Sequence, residues 1–126
     1  MRIGELADRA QVSQKAVRYY ESRGLLSSMR LPNGYRDYDE GDVRVVEEIR
    51  QLTGLGIRVE DTRPFVECLT AGHEQGDDCL ASVATYRDAI TELDARVEEL
   101  LRRRTRLAQL LVQAQERVSC GCEAGA

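Results

Sequence analysis

Apolar residues recur at helical spacing over most of this chain. Ile3, Leu6, Ala7 and Ala10 predict a first helix over 3–10. Residues 11–13 read as a turn, and Ser13 is placed to cap a second helix over 14–23. Gly24 stands where a helix C-cap belongs. Two helices joined by so short a turn form a helix-turn-helix pattern. Leu31-Pro32-Asn33-Gly34 is a turn signal in which Asn-Gly favours a type I′ hairpin, so short strands around 27–30 and 35–38 would make a β-wing. A third helix over 40–54 carries Val43, Val46, Ile49 and Leu52 on one face and is broken by Gly54 and Gly56. A fourth, at about 59–70, carries Val59, Phe65, Val66 and Leu69, and 71–78 reads as a hinge.

The remaining pattern predicts one long helix over 79–118. Its register runs Val83, Tyr86, Ile90, Leu93, Val97, Leu100, Leu107, Leu111, Ala114 and Val118, with spacings that alternate as in a coiled-coil seam. Arg104 is the charged residue of that seam. A helix of about forty residues spans roughly 60 Å and needs a partner for its apolar stripe. With no second long helix in the chain, a homodimeric two-helix coiled coil, parallel or antiparallel, is the economical expectation.

The net charge of −4 taken alone argues against a nucleic-acid partner, but its distribution does not. Residues 1–36 hold Arg2, Arg9, Lys15, Arg18, Arg23, Arg30 and Arg36 against Glu5, Asp8 and Glu21; acids dominate afterwards. No stretch approaches the ~20 apolar residues of a membrane span, and the start lacks the apolar core of a signal peptide. A cytoplasmic protein without membrane contact is expected. In that compartment the four cysteines read as reduced thiols or metal ligands rather than a disulfide framework.

Arg18, Tyr19 and Tyr20 lie together on the second helix, with Lys15 on the face of Arg18. Arginine can bond a phosphate or guanine bidentately, and a tyrosine hydroxyl can donate to phosphate. An isolated Arg-Tyr-Tyr would be ordinary surface with one core tyrosine. Inside a helix-turn-helix followed by a wing with Tyr35, Arg36 and Tyr38, it points to double-stranded DNA. No nucleophile–base set, phosphate loop or hydrolase motif suggests an enzyme.

Residues 1–70 resemble the DNA-binding half of the MerR family of transcription regulators. The resemblance rests on Ile3-Gly4-Glu5-Leu6-Ala7, Val17-Arg18-Tyr19-Tyr20-Glu21, Gly24-Leu25, Asn33-Gly34-Tyr35-Arg36-Asp37-Tyr38, Asp42-Val43, and Ile49 through Leu52 with Gly54 and Ile57. The long helix is similar to the family's antiparallel dimerisation helix. The implied architecture is mostly α: a winged helix-turn-helix domain (1–70), a hinge (71–78), a dimerisation helix (79–118) forming an antiparallel coiled coil, and an effector tail (119–126). The implied action is to bind a two-fold symmetric promoter and, with effector, to bend and untwist it, acting on RNA polymerase indirectly. Arg18, Tyr19, Tyr20, Arg36 and Tyr38 match positions that hold DNA in the family; Arg58, in the second wing, is a weaker match.

Cys79 opens the long helix, and Cys120 and Cys122 lie just past its end. Within one chain the helix separates them; in an antiparallel dimer Cys79 approaches the partner's tail pair. The resemblance implies this arrangement for the metal-sensing branch, where a cysteine at the helix head goes with divalent ions. Three thiolates suit Hg(II), Cd(II) or Pb(II), with Zn(II) possible. The family's metal sensors space their tail cysteines by a longer loop, whereas here only Gly121 intervenes. An iron–sulfur cluster is not expected, because that branch carries four clustered cysteines. A thiol redox switch is the main alternative, and a small-molecule effector another. Cys68 reads as a buried structural cysteine among Phe65, Val66 and Leu69, and His73, the one histidine, as a solvated hinge residue, with an extra ligand near Cys79 as the alternative.

Overall fold

A computed structural model describes residues 1–27 and 29–119. It runs α1 (Ile3–Ala10), α2 (Gln14–Ser22), β1 (Met29–Arg30), β2 (Arg36–Asp37), α3 (Glu40–Gly54), a 3-10 turn (Val59–Thr62), α4 (Arg63–Thr70) and α5 (Leu80–Ser119). The chain divides into two compact units, Met1–Ala89 and Ile90–Ala126. No described helix is long and apolar enough to cross a membrane.

The helix-turn-helix is built by its caps. After α1, Gln11 adopts the left-handed conformation (φ 58°), and Val12 N–H donates to Ala7 O at 3.0 Å. This closes α1 in a Schellman turn and redirects the chain. Ser13 Oγ then accepts from Ala16 N–H at 3.0 Å and starts α2. Gly24 (φ 75°) ends α2, with Leu25 N–H bonded to Tyr20 O at 3.0 Å. Asp39 and Asp42 form a reciprocal capping box that starts α3.

The wing differs from the expected hairpin. β1 and β2 are antiparallel, pairing Met29 with Asp37 and Arg30 with Arg36. Leu31 N–H donates to Tyr35 O at 2.7 Å, and Gly34 N–H to Leu31 O at 2.8 Å. The loop is therefore the three residues 32–34. Only Gly34 has positive φ (87°), so a type I′ turn, which requires two such residues, is not formed. Pro32 is the reason: its ring fixes φ near −65°, which suits the first corner of an ordinary turn. Asn33 Oδ1 accepts from Tyr35 N–H at 3.1 Å and fixes the tip.

The expected fourth helix is also divided. A continuous α-helix would need an N–H from Pro64, which has none. The chain makes a 3-10 turn first, and α4 begins at Arg63, placing Pro64 in the first turn, where no N–H is required.

The core of Met1–Ala89 joins Leu6, Ala7 and Ala10 of α1 to Val17 and Tyr20 of α2, Leu25, Leu26 and Tyr38, and Val43, Val46 and Ile49 of α3. A second cluster packs Leu52, Ile57 and Phe65 against Tyr86 and Ala89 of α5. Tyr86, a seam position by its spacing, instead lies on Phe65 with ring centroids 5.1 Å apart. Burial, then the hydrogen bond from its hydroxyl to Asp77, pushes the Tyr86 phenol up to about 12.

Ile90–Ala126 is, over its described residues, the remainder of α5. Ile90, Leu93, Val97, Leu100, Leu107, Leu111 and Val118 are all exposed there.

Candidate nucleic-acid interface and thiol cluster

Helix α2 has two sides. Val17 and Tyr20, three residues apart, point into the core. Lys15, Arg18 and Tyr19 are exposed on the outside. Tyr35 is exposed at the wing, and its ring lies under the Arg2 guanidinium at 3.9 Å, a cation–π contact. Arg18, Arg2, Tyr35 and Arg36 line one cleft of about 560 Å³ that also takes in the first residues of α1. Three guanidinium groups beside the amide-rich start of a helix attract phosphate. Arg2 was not singled out from the sequence; its position directly ahead of the first helix was the available signal.

Two expected DNA contacts are core residues instead. Tyr38 is 2% exposed and its hydroxyl donates to Glu21. Tyr20 is buried, and that burial raises its phenol pKa. The physical reason is packing: both rings belong to the core that joins α1, α2 and α3, where burying their apolar faces outweighs exposing them. Glu21, only 13% exposed, also pairs with Arg36 at 2.6 Å. Its carboxylate thus ties the wing to α2 and orients Arg36. Arg58 is exposed and pairs with Asp61 at 3.2 Å.

The cysteines are arranged differently from the reduced-thiol expectation. Cys68 on α4 and Cys79 ahead of α5 are joined in a disulfide, with Cα atoms 6.1 Å apart. That separation is ordinary for bridged cysteines. Cys68 is buried, as expected, but bonded, and exposed His73 stands beside the pair rather than apart from it. The ligand atoms of Cys68, His73 and Cys79 all lie within 4.8 Å of one another. Cys120 and Cys122 lie outside the described residues.

Local folding makes this cluster. Gly72 (φ 103°) ends α4, and His73 N–H donates back to Cys68 O at 3.3 Å, which returns the imidazole to Cys68. The segment 71–78 is fastened at several points. Gln75 N–H donates to Asp78 Oδ2 at 2.9 Å, and Ser82 Oγ donates to Gly76 O at 2.6 Å. Arg44 donates to Glu74 O. A side chain at Gly76 would meet the Glu48 carboxylate at 2.8 Å, so glycine lets the loop approach without moving that side chain. Cys79 O accepts from Ser82 and Val83 N–H, making Cys79 the cap of α5. Four residues separate Cys68 from His73 and five separate His73 from Cys79, a spacing that does not by itself declare the cluster.

The chain resembles known proteins along most of its length. It is 37% identical over 112 residues to the HTH-type transcriptional regulator HmrR of Rhizobium leguminosarum bv. viciae, covering 88% of this chain and 84% of that one. It is 29% identical over 109 residues to heavy metal-dependent transcription regulator 2 of Rhizobium meliloti, covering 86% and 74%. The crystal structure of the transcription regulator PbrR691 from Ralstonia metallidurans, in complex with lead(II), superposes with a TM-score of 0.72 at 28% identity, over 87% of this chain and 84% of that one. Residues 1–67 match the model of the MerR HTH family regulatory proteins. The helix-turn-helix, its wing and these matches together place the chain in the MerR family of transcription regulators.

Proposed function

We propose that this regulator is a homodimer that binds a two-fold symmetric promoter and responds to a soft divalent metal ion through cysteine thiolates. The observation that carries the ion response is Cys79, half-buried at the cap of α5, whose sulfur is held by Cys68 in a disulfide and is available as a metal ligand on reduction. The heavy metal-dependent relative and the lead(II) complex of PbrR691 support an ion of this class. The exposed stripe from Ile90 to Val118 supports dimerisation through α5. In an antiparallel pair Cys79 meets Cys120 and Cys122 of the partner subunit. Hg(II), Cd(II), Pb(II) and Zn(II) are the ions that three thiolates suit. Binding would distort the promoter so that RNA polymerase can use it, a deformation costing several kcal/mol and offset by phosphate contacts.

The DNA contacts proposed are Lys15, Arg18, Tyr19 and Tyr35, with Arg36 and Arg58 at the margins. Arg18→Ala is expected to weaken promoter binding by about 1–3 kcal/mol, measured by fluorescence anisotropy, with a reduced salt dependence. Unchanged affinity with an unchanged salt slope refutes the contact.

The ion response is tested by promoter binding and transcription with and without Cd(II) under reducing conditions. Cys79→Ser should lose the response and keep basal DNA binding. Mixed dimers of Cys79→Ser with Cys120→Ser/Cys122→Ser subunits should regain one complete inter-subunit site. A normal response from Cys79→Ser, or silent mixed dimers, rejects that ligand set. The Cys68–Cys79 disulfide favours a second reading, a thiol redox switch, in which a peroxide or a small disulfide rather than a metal alters promoter affinity.

A further inference from the structure

We propose that Cys68, His73 and Cys79 of a single chain form a soft-metal site that is complete without the C-terminal tail and opens only when the Cys68–Cys79 disulfide is reduced. The three ligand atoms already lie within 4.8 Å of one another, and they come from two helix ends and the loop between them. Two thiolates on one tetrahedral ion sit about 3.8 Å apart, given metal–sulfur bonds of about 2.3 Å. The 6.1 Å between the Cα atoms accommodates that separation once the sulfur–sulfur bond is gone.

The site is built rather than assembled by chance. The turn at Gly72 and the bond from His73 N–H to Cys68 O fix the His73 backbone beside Cys68, and its imidazole lies within 4.8 Å of both sulfurs. The bonds from Gln75 to Asp78 and from Ser82 to Gly76 hold the loop that carries Cys79. Cys79 caps α5, its carbonyl accepting from Ser82 and Val83 N–H, which sets its position at the start of the helix. A buried sulfur, a half-buried sulfur and an exposed imidazole leave one side open for an ion to enter. Two thiolates and one imidazole suit Zn(II) or Cd(II), and neither sulfur can serve as a thiolate while the disulfide stands.

This inference rests on the proposed function only for the class of ion. Its ligands differ, although Cys79 belongs to both sets. The test uses the full chain treated with a water-soluble phosphine. The phosphine and one water convert the disulfide to two thiols, and the phosphine leaves as its oxide. Cd(II) is then titrated and followed by thiolate-to-metal charge-transfer absorption. The Cys120→Ser/Cys122→Ser protein should bind one Cd(II) per chain after reduction and none at this site before it. Adding His73→Ala should weaken binding at least about tenfold and keep the charge-transfer band. Adding Cys68→Ala should abolish both. Because His73 is exposed, its variant tests the site even if Cys68→Ala fails to fold.

No Cd(II) uptake by the reduced tail variant overturns the site, as does unchanged affinity in His73→Ala. Promoter binding of the reduced wild type is measured in parallel over the same Cd(II) concentrations. Uptake by the tail variant with no promoter response in the wild type supports this site and rejects the regulatory reading. A promoter response without such uptake supports the regulatory reading and rejects this site.

Discussion

Leu93→Asp and Leu100→Asp are each expected to convert the protein to a monomer and to abolish promoter binding with it. Leu93 is 49% exposed and Leu100 59% exposed, in a unit that is otherwise one helix. An isolated helix with such a stripe is stabilised mainly by packing that stripe against another element. In the proposed dimer each leucine enters a seam, and an aspartate there is a buried carboxylate without a partner. That costs several kcal/mol per chain, and two-fold symmetry applies it twice. Sedimentation at micromolar concentration should show a dimeric wild type and monomeric variants. Promoter affinity should fall because a symmetric site then loses one of its two heads. A monomeric wild type, or variants that stay dimeric, would refute pairing through α5.

Phe65→Ala is expected to destabilise the first unit by about 3–5 kcal/mol. Phe65 is fully buried, packed with Leu52 and Ile57 and meeting the Tyr86 ring at a 56° tilt with centroids 5.1 Å apart. Its removal leaves a cavity among Leu52, Ile57, Tyr86 and Ala89, and the cost depends on how far these neighbours can close it. Small domains are stable by only about 5–15 kcal/mol, so the loss is a large part of the whole. The urea midpoint should drop steeply with little change in slope. Leu55→Ala, at a site 73% exposed, is the control and should shift stability by under about 0.5 kcal/mol. Comparable midpoints for the two variants would show that Phe65 does not anchor this cluster.

Elements whose rules are local were legible in the sequence. The spacing of Ile3, Leu6, Ala7 and Ala10, the Ser13 cap and the Gly24 stop are decided within a few residues, and α1, α2 and α3 follow them. The outward set of Lys15, Arg18 and Tyr19 follows from the same helical period. Where two local rules compete, the chain obeys the one set by proline. Asn33-Gly34 suggested a two-residue turn, but Pro32 imposed a three-residue one. Apolar spacing suggested one helix from 59 to 70, but Pro64 divided it.

The sequence alone therefore determined the helix-turn-helix, the wing's position, the basic face and the apolar stripe of α5, because each depends on periodicity and capping over short distances. Tertiary structure decided which tyrosines are buried, since Tyr20, Tyr38 and Tyr86 present the same ring whether it meets solvent or core. It also decided the company of Cys79. Cys68 lies eleven residues earlier, and nothing in their separation states that the Gly72 turn and the fastened loop return one sulfur to the other with His73 alongside. Proximity of that kind is set by how α4 and the start of α5 dock on the Phe65 cluster, a property of packing that no local pattern encodes.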